Sequence, residues 1–347
     1  MKKQQVKVYG KKVAAVVVLP LLIYLIMLII TAANGKASGF NIFTGNTFSN
    51  IISNTAYMAL VALGIGFQLK YGRFDFSGGA IIVVTAIVGA KFAVGTGANL
   101  FVTAIICVLM GITLSLLNSL IYVSFRVPIS VISLACAYLF ESFSGLIIGN
   151  DAVPQLAFNE SYNVIGKFPL ILLPLFLGIA LYVVYGHFTV AGKQSKLLRE
   201  NQKAAVNIGI NEKKNTFIAY AVSGAIFGLA GLLYATQNTL GKVTTPLETA
   251  GTLFSNIVPS LVGLFLARYI DDSLGTFIGA LTITILYYGL DVMSVGSGLK
   301  TVWYSLFLAI FIFVSGFWTQ IINFLFDKVK KIKSKFTKGG PEVTADW

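Results

Sequence analysis

The chain has few charged residues and very few of the residues that usually bind metals or carry out catalysis. Only 11% of its 347 residues are charged, whereas about a quarter is usual in a soluble domain. His187 is the only histidine, and the two cysteines, Cys107 and Cys136, lie inside apolar runs without a CxxC spacing. We therefore expect the cysteines to be buried apolar residues, and we expect no metal site.

The sequence also contains no recognisable phosphate-binding loop. The nearest stretch, GHFTVAGKQ at 186–194, has five residues rather than four between its glycines, and Gln194 stands where a Ser or Thr would bind Mg²⁺. The chain is therefore not expected to be an enzyme or to hydrolyse ATP. His187 is interpreted as a polar residue at the membrane edge, and a proton carrier is the less favoured alternative.

What the chain has in abundance is apolar sequence, at 56% of its residues and a mean hydropathy of +0.82. The apolar runs are long and do not alternate, which predicts an all-α polytopic membrane protein, because helices satisfy their backbone groups internally. About ten spans are expected. We place them near 13–31, 51–69, 77–95, 100–123, 128–148, 169–187, 216–236, 252–267, 273–291 and 301–323.

The distribution of Lys and Arg predicts the orientation. With ten spans, 21 of the 26 basic residues fall on the side that holds both termini, which predicts that both termini are cytoplasmic. The net charge of +13 is thus explained by topology and by contact with anionic lipid, and nucleic acid is not expected as a partner.

This topology divides the chain into three parts. Residues 1–12 form a basic cytoplasmic tail, 13–324 form the transmembrane domain with a cytoplasmic loop at 188–215, and 325–347 form a basic cytoplasmic tail that we expect to be disordered. The first apolar run is too long for a signal peptide and is interpreted as a retained helix. A bacterial cell membrane is the expected location.

The 188–215 loop contains an amphipathic pattern. Leu197, Leu198, Ala204, Ala205 and Ile208 recur at steps of three and four residues, which predicts one short helix that ends near Gly209. Two interpretations remain open. The helix either rests on lipid headgroups or provides a surface for a cytoplasmic partner.

The same stretch, RENQKAAVNIGINEKKN, resembles the cytoplasmic loop of ABC importer permeases of the ribose, galactoside and xylose type. Asn201, Ala204, Ala205, Gly209 and Ile210 have the spacing of that family's coupling-helix motif. The resemblance implies that this helix docks on an ATPase and transmits its closing motion. The expected coupling residues are Leu197, Asn201, Ala204, Ala205, Ile208, Gly209 and Ile210.

Three further stretches match the family in the same order along the chain. LKYGRFDFSGGAI at 69–81 resembles its Gly-x-Asp-Leu-Ser-x-Gly signature, 116–149 resembles its fourth and fifth spans, and 275–314 resembles its closing pair of spans. The region between the eighth and ninth spans, VGLFLARYIDD, departs from the family pattern. The chain is identified as a divergent member.

Membership would imply a type II-like importer permease fold and alternating access driven by a separate ATPase chain, which would hold the ATP and Mg²⁺, with no cofactor in this chain. It also implies an extracytoplasmic binding protein that docks near 149–168 and 237–250, and a second permease copy or paralogue. The expected solute is a monosaccharide. A nucleoside, another small solute, an ion-coupled carrier and a noncatalytic scaffold remain as alternatives.

Five residues are candidates for the substrate path: Asp75, Ser77, Gly78, Asn118 and Glu141. Asp75 and Ser77 lie at an expected helix break, where they either shape the path or cap the third span. Glu141 is deep in the fifth span and accepts hydrogen bonds either from substrate or from a neighbouring helix. Asn118 is equally consistent with an interhelical hydrogen bond.

Overall fold

The computed structural model describes residues 2–316, apart from 42–43, 126, 150–151, 242 and 244–246, and it describes side chains from residue 16 onward. The described residues belong to two units, divided after Val295. The expected tail at 325–347 and the last part of the tenth span lie outside the described residues.

Helices account for the regular structure of the described residues, and no strand occurs among them. The helices of the first unit are α1 (Lys2–Ala33), α2 (Gly45–Lys70), α3 (Gly78–Thr96), α4 (Leu100–Phe125), α5 (Ile129–Ile148), α6 (Glu160–Asn163), α7 (Leu172–Val183), α8 (Val190–Glu200), α9 (Gln202–Asn207), α10 (Glu212–Gln237), α11 (Glu248–Ser255), α12 (Ile257–Leu266) and α13 (Asp272–Val292). The second unit contributes α14 (Ser297–Gly316), an apolar helix most of whose residues are exposed.

Nine stretches of the described chain are long and apolar enough to cross a membrane, and a bent pair makes a tenth. This confirms the predicted polytopic helical architecture. The bent pair is the sixth expected span: α7 continues as a π turn over Val184–Phe188, and α8 leaves it at 71°. The helix α1 begins at Lys2, so the expected N-terminal tail is the first part of the same helix.

Close helix contacts in the first unit depend on glycine. A side chain on Gly111 of α4 would lie 2.4 Å from the carbonyl oxygen of Gly224 on α10, and one on Gly228 would lie 2.7 Å from the carbonyl oxygen of Cys107. Gly275 and Gly279 of α13 approach the backbone of α12 in the same way. These backbones can touch because no Cβ separates them.

The eighth span has two parts, because α11 and α12 are separated at Asn256. The prediction of 252–267 missed its beginning, since α11 starts at Glu248. The segment before α11 was expected to lie in an outer loop. Leu247 and Thr249 are instead bonded to a side chain of α5, well inside the length of that helix.

The loops at the end of the bundle opposite α8 are joined by side-chain hydrogen bonds. The Gln155 amide donates to the carbonyl oxygen of Leu240 (2.7 Å), and its oxygen accepts from the Leu240 N–H (2.7 Å). Leu156 and Tyr162 are buried in the same cluster as Leu240. The two loops expected to meet a binding protein therefore form one folded cap, which we call the far cap.

Candidate functional site

Asp75 lies just before α3 and is held by hydrogen bonds from Ser77 and Asn118. Its Oδ1 accepts from the backbone N–H of Ser77 (2.8 Å), from the Ser77 hydroxyl (2.7 Å) and from the Asn118 amide (3.2 Å). The Asn118 amide also donates to the Ser77 hydroxyl oxygen (2.8 Å). All three residues are buried. The carboxylate is thus held by three donors and organises the break before α3.

The start of α3 is packed too tightly for side chains. A Cβ on Gly78 would lie 2.6 Å from the ring of Phe227, and one on Gly79 would lie 2.1 Å from the carbonyl oxygen of Thr249. Gly78, expected from the sequence to belong to the path, therefore lies at a helix contact. Gly79 brings the beginning of α3 against the beginning of α11.

Glu141 caps α11 from another helix. One carboxylate oxygen, Oε2, accepts from the backbone N–H of Leu247 (2.6 Å), and Oε1 accepts from the N–H (2.8 Å) and the hydroxyl of Thr249. Leu247 has a φ of 61°, which is unusual for a residue with a side chain, and it provides no side-chain cap of its own. A carboxylate is favoured at this position because the first amides of a helix carry partial positive charge.

The contacts of α11 show that it begins within the depth of the bundle. Glu141 lies seven residues, or about 10 Å, before the end of α5. Gly79, on the other side of Thr249, lies 17 residues, or about 25 Å, before the end of α3. The first turn of α11 is therefore far from the C-terminal ends of both neighbouring helices, and it lies against the N-terminal end of α3.

The 188–215 loop contains two helices where one was predicted. The first, α8, ends at Glu200, and Asn201 is extended (φ −154°, ψ 96°) before α9 begins. The Asn201 side chain accepts from the N–H of Ala204 (3.1 Å), so it acts as the N-cap of α9. Asn is a strong capping residue, and here the cap outweighs the continuous amphipathic pattern.

The end of α9 explains two more residues of the coupling motif. Gly209 has a φ of +92°, which favours glycine, and the N–H of Ile210 donates back to the carbonyl oxygen of Ala205 (3.1 Å). This is the hydrogen bond of a Schellman motif, and Ile210 and Ala205 form its apolar contact together with Leu198. Much of the motif therefore gives the loop its shape.

The remaining apolar residues of the loop are exposed. Leu197 is 45% exposed, Val206 44% and Ile208 73%, and Ala204 lies on the same outer side of the loop. Among the seven expected coupling residues, Ala205 and Ile210 are buried and the other five are exposed. The buried pair forms the interior of the loop, and the exposed apolar side chains are available for contact with another molecule.

The loop is tied to the ends of three long helices. The Arg199 guanidinium donates to the carbonyl oxygen of Lys70 at the end of α2 (2.9 Å). The buried Ser195 hydroxyl is 2.8 Å from the hydroxyl of Tyr185, in the π turn that extends α7, and 2.6 Å from Oδ1 of Asn215 on α10. Asn215 also donates to the carbonyl oxygen of Ala191 (2.7 Å).

A second polar group joins α2 to α13, and the sequence did not single out these residues. The Lys70 ammonium is 2.7 Å from Oδ2 of Asp272, which also accepts from the Tyr182 hydroxyl (2.8 Å). A sequence signal existed, because Lys70 and Asp272 are charges at the ends of predicted spans. Nothing in the sequence, however, indicates that these two charges meet.

Next to this pair, His187 of the π turn lies 2.8 Å from Asp271, the N-cap of α13. Burial favours a higher pKa for Asp271, but hydrogen bonds from Ser273 and the neighbouring His187 together hold its pKa below the usual range. His187, Asp271 and Asp272 have ligand atoms within 4.8 Å of one another. Since the Lys70 ammonium already contacts Asp272, a metal ion here would meet a positive charge.

Two open cavities lie where the loop meets the bundle. One, of about 560 Å³, lies between the end of α4 and the start of α10 and includes Tyr122, Pro128 and Lys213 in its lining. The other, of about 230 Å³, extends under α8 to Arg73 and Arg199. Arg73 is buried and donates to the Thr216 hydroxyl (3.3 Å). The loop therefore has room beneath it on one side and is bonded to helix ends on the other.

A helical bundle with interrupted spans and a structured charged loop at one end is typical of membrane transport proteins. The chain matches the family described as "Branched-chain amino acid transport system / permease component" over residues 47–315, and it belongs to that family. It is thus a permease subunit of an ABC importer, a non-enzymatic multi-pass protein of the bacterial inner membrane whose ATPase is a separate chain.

Relatives with established names match along most of the chain. The ribose import permease protein RbsC of Escherichia coli is 26% identical over 286 residues, which cover 79% of this chain and 86% of that protein. The fructose import permease protein FruG of Bifidobacterium longum is 22% identical over 315 residues, covering 85% and 89%. The galactose/methyl galactoside import permease protein MglC of Haemophilus influenzae is 23% identical over 272 residues, covering 72% and 80%. No solved structure matches the chain.

Proposed function

We propose that this permease carries a monosaccharide through the membrane by alternating access, coupled to a cytoplasmic ATPase through the 188–215 loop. The solute class is supported by the names of the relatives, which import ribose, fructose and galactose or methyl galactoside. The coupling role is supported by the structure of the loop, and this is the observation that carries the proposal.

The loop has the properties that a transmitting element needs. Its interior of Leu198, Ala205 and Ile210, with the caps at Asn201 and Gly209, makes it a compact unit. A compact unit moves as one body when a partner pushes on it, whereas a flexible segment would absorb the displacement. The exposed Leu197, Val206 and Ile208 give the partner an apolar surface.

The bonds from the loop lead directly into the spans. Arg199 holds the end of α2, and Ser195 joins the π turn after α7 to α10. Through Lys70 and Asp272 the end of α2 is joined in turn to α13. A displacement of the loop therefore acts on four spans at one end of the bundle. Alternating access requires such a concerted movement of helix ends.

The same proposal includes the orientation of the chain in the membrane and its partner proteins. The excess of Lys and Arg supports a cytoplasmic position for the 188–215 loop and both termini, and the ATPase would bind on this side. The far cap, built from residues near Gln155 and Leu240, would then face the binding protein that delivers the solute. A second permease copy, or a paralogue, would close the path.

The two acids that the sequence places deep in the spans, Asp75 and Glu141, argue against an ion-coupled carrier. Such a carrier needs ionisable groups that bind and release the driving ion. The carboxylates of Asp75 and Glu141 instead accept hydrogen bonds from backbone amides and hydroxyls that fix helix ends. Releasing these bonds in each transport cycle would unpair buried amides. An external ATPase is therefore the better supported energy source.

The experiment that tests the coupling role replaces one exposed apolar residue. Ile208→Glu is expected to fold normally, because the side chain is 73% exposed. It should weaken copurification of the ATPase and lower ATP-driven uptake in proteoliposomes by at least about tenfold, since a charge would be placed in an apolar contact. Both quantities are measured on the same purified preparation.

Lys203→Glu is the matched control, because this residue is exposed on α9 and also receives a negative charge. If the loop only rests on anionic lipid, Lys203→Glu should impair uptake at least as much as Ile208→Glu, and ATPase copurification should not change in either variant. That result would overturn the coupling role. The solute is tested separately, by a thermal-shift screen of the binding protein with monosaccharides and nucleosides.

A further inference from the structure

One face of α11 is exposed and carries polar residues, although the helix begins within the depth of the bundle. Glu248, Gly251 and Ser255 are exposed, and their spacing of three and four residues places them on the same side of the helix, with the exposed Phe254 at its edge. The opposite side is buried, with Thr249 and Leu253 packed inward. The exposed side therefore carries a carboxylate and a hydroxyl at membrane depth.

Such a face is not suited to lipid. A carboxylate within the hydrocarbon region is costly, so charged residues in spans face a bundle interior or a water-filled cavity. The exposed face of α4 offers a contrast within the same chain, because Ile105, Leu109 and Leu120 are exposed there and are all apolar. The face of α4 is the one that suits lipid.

Two tyrosines form a ring pair in the same unit, and one of them is within electrostatic range of Glu248. The rings of Tyr57 on α2 and Tyr234 on α10 are 6.0 Å apart, and both residues are half-buried. The Glu248 carboxylate interacts electrostatically with the Tyr234 phenol. Carboxylates accept hydrogen bonds from sugar hydroxyls, and aromatic rings pack against the apolar face of a sugar ring. Together these groups suit a small polyhydroxylated solute.

We propose that Glu248, with Tyr57 and Tyr234, binds the hydroxyl groups of the solute within the translocation path, and that the Glu248, Gly251 and Ser255 face of α11 lines this path. The proposal rests on the proposed function, since it assigns a residue set to the solute named there. It differs from the sequence-based expectation, in which Asp75 and Glu141 were the acids of the path. Those two carboxylates hold helix ends, and Glu141 positions the helix that presents Glu248.

The first test asks whether the face meets water and does not depend on transport. Ser255→Cys is exposed to a charged, membrane-impermeant thiol reagent in vesicles that contain the complete importer. Leu109→Cys on the apolar face of α4 is the matched control, and both native cysteines are buried. We expect modification at 255, protection by the transported sugar, and no modification at 109. A lack of modification at 255 in both vesicle orientations, with or without ATP, would overturn the assignment of this face to the path.

The second test asks whether Glu248 contacts the solute. Glu248→Gln should lower ATP-driven uptake by about tenfold, the effect of one lost hydrogen bond to a charged group, and Glu248→Asp should recover part of the rate. The loss should be smaller for deoxy analogues that lack the contacted hydroxyl. Asp291→Asn, which changes an exposed acid near the end of α13, is the control. Equal losses for the sugar and for every deoxy analogue would contradict a contact with hydroxyl groups.

The two proposals fail in different ways. If the wild-type importer does not carry monosaccharides, the proposed solute is wrong, whatever the Glu248 variants do. If it carries them and Glu248→Gln transports at the wild-type rate, the proposed function stands and the inference about Glu248 is wrong. Modification at 255 without protection by sugar would likewise reject the solute site.

Discussion

Two helices of this permease begin inside the bundle, and they are held in different ways. Asp75 begins α3 with a bond to the amide two residues later in the chain. Glu141 begins α11 with bonds to residues 106 and 108 positions away. In both cases a buried carboxylate accepts from a backbone amide at a helix start that water cannot reach. Glu141 reaches Thr249 in the first turn of α11, whereas Asp75 accepts from Ser77, the residue just before α3.

The comparison shows that a buried backbone amide at a helix start can find its acceptor in two ways. The acceptor is either a residue close by in the chain or a residue of another helix. Asp-x-Ser before an apolar run is a local capping pattern, and its partner can be anticipated from the sequence. The residue at the cap position of α11 is Leu247, whose side chain has no oxygen that could accept a hydrogen bond. The acceptor must therefore come from another helix. The second break therefore depends on correct packing of α5 against α11.

The largest effect is expected at the distant cap. Glu141→Ala should reduce the free energy of unfolding by about 4 kcal/mol, because two buried amides and a hydroxyl lose their acceptor together. Thermal unfolding of the purified permease in detergent measures the change. Glu160→Ala removes an exposed acid and should remain within about 0.5 kcal/mol of the wild type. Equal stability of the two variants would show that the distant cap is not needed.

A smaller loss is expected at the local cap. Asp75→Ala should cost about 3 kcal/mol, because the Ser77 amide and the Asn118 amide lose a buried acceptor. Combining it with Asn118→Leu removes one of the stranded donors, so the double variant should lose less than the sum of the two single variants. Strictly additive losses, measured by the same unfolding assay, would mean that Asp75 and Asn118 do not act together.

The smallest of the three effects is expected where the two helix starts touch. Gly79→Ala places a methyl group 2.1 Å from the Thr249 carbonyl oxygen, so α11 must move away from α3 at a cost of about 2 kcal/mol. Gly251→Ala, on the open face of α11 with no atom within 4 Å, is the matched control. If the two alanine variants are equally stable, the two helix starts are not in close contact.

The residues of the 188–215 loop show how far local patterns extend. Gly209 is recognised as a stop from its residue type, and the structure places it just after α9 with a positive φ. The interruption of the predicted single helix at Asn201 was missed, because an apolar repeat of three and four residues continues across it. A spacing pattern reports which residues can share a face, and only backbone geometry shows whether the helix continues.

Glycine pairs illustrate the same limit. Gly224 with Gly228 and Gly275 with Gly279 lie at helix contacts, as their four-residue spacing predicts. Gly145 and Gly149 have the same spacing, yet Gly149 ends α5 with a φ of +62°. The spacing is identical, and the difference depends on whether another helix approaches.

The sequence by itself determined the features that depend on composition and on neighbours along the chain: the membrane environment, the number and order of the spans, the helix break at Asp75 and the end of α9 at Gly209. Hydropathy and capping are short-range properties, so they can be recognised without knowing the fold. The tertiary structure alone decided that Glu141 caps α11, that Lys70 meets Asp272, and that Glu248 is presented at membrane depth. These contacts join residues about 100 to 200 positions apart, and only the packing of the helices brings such residues together.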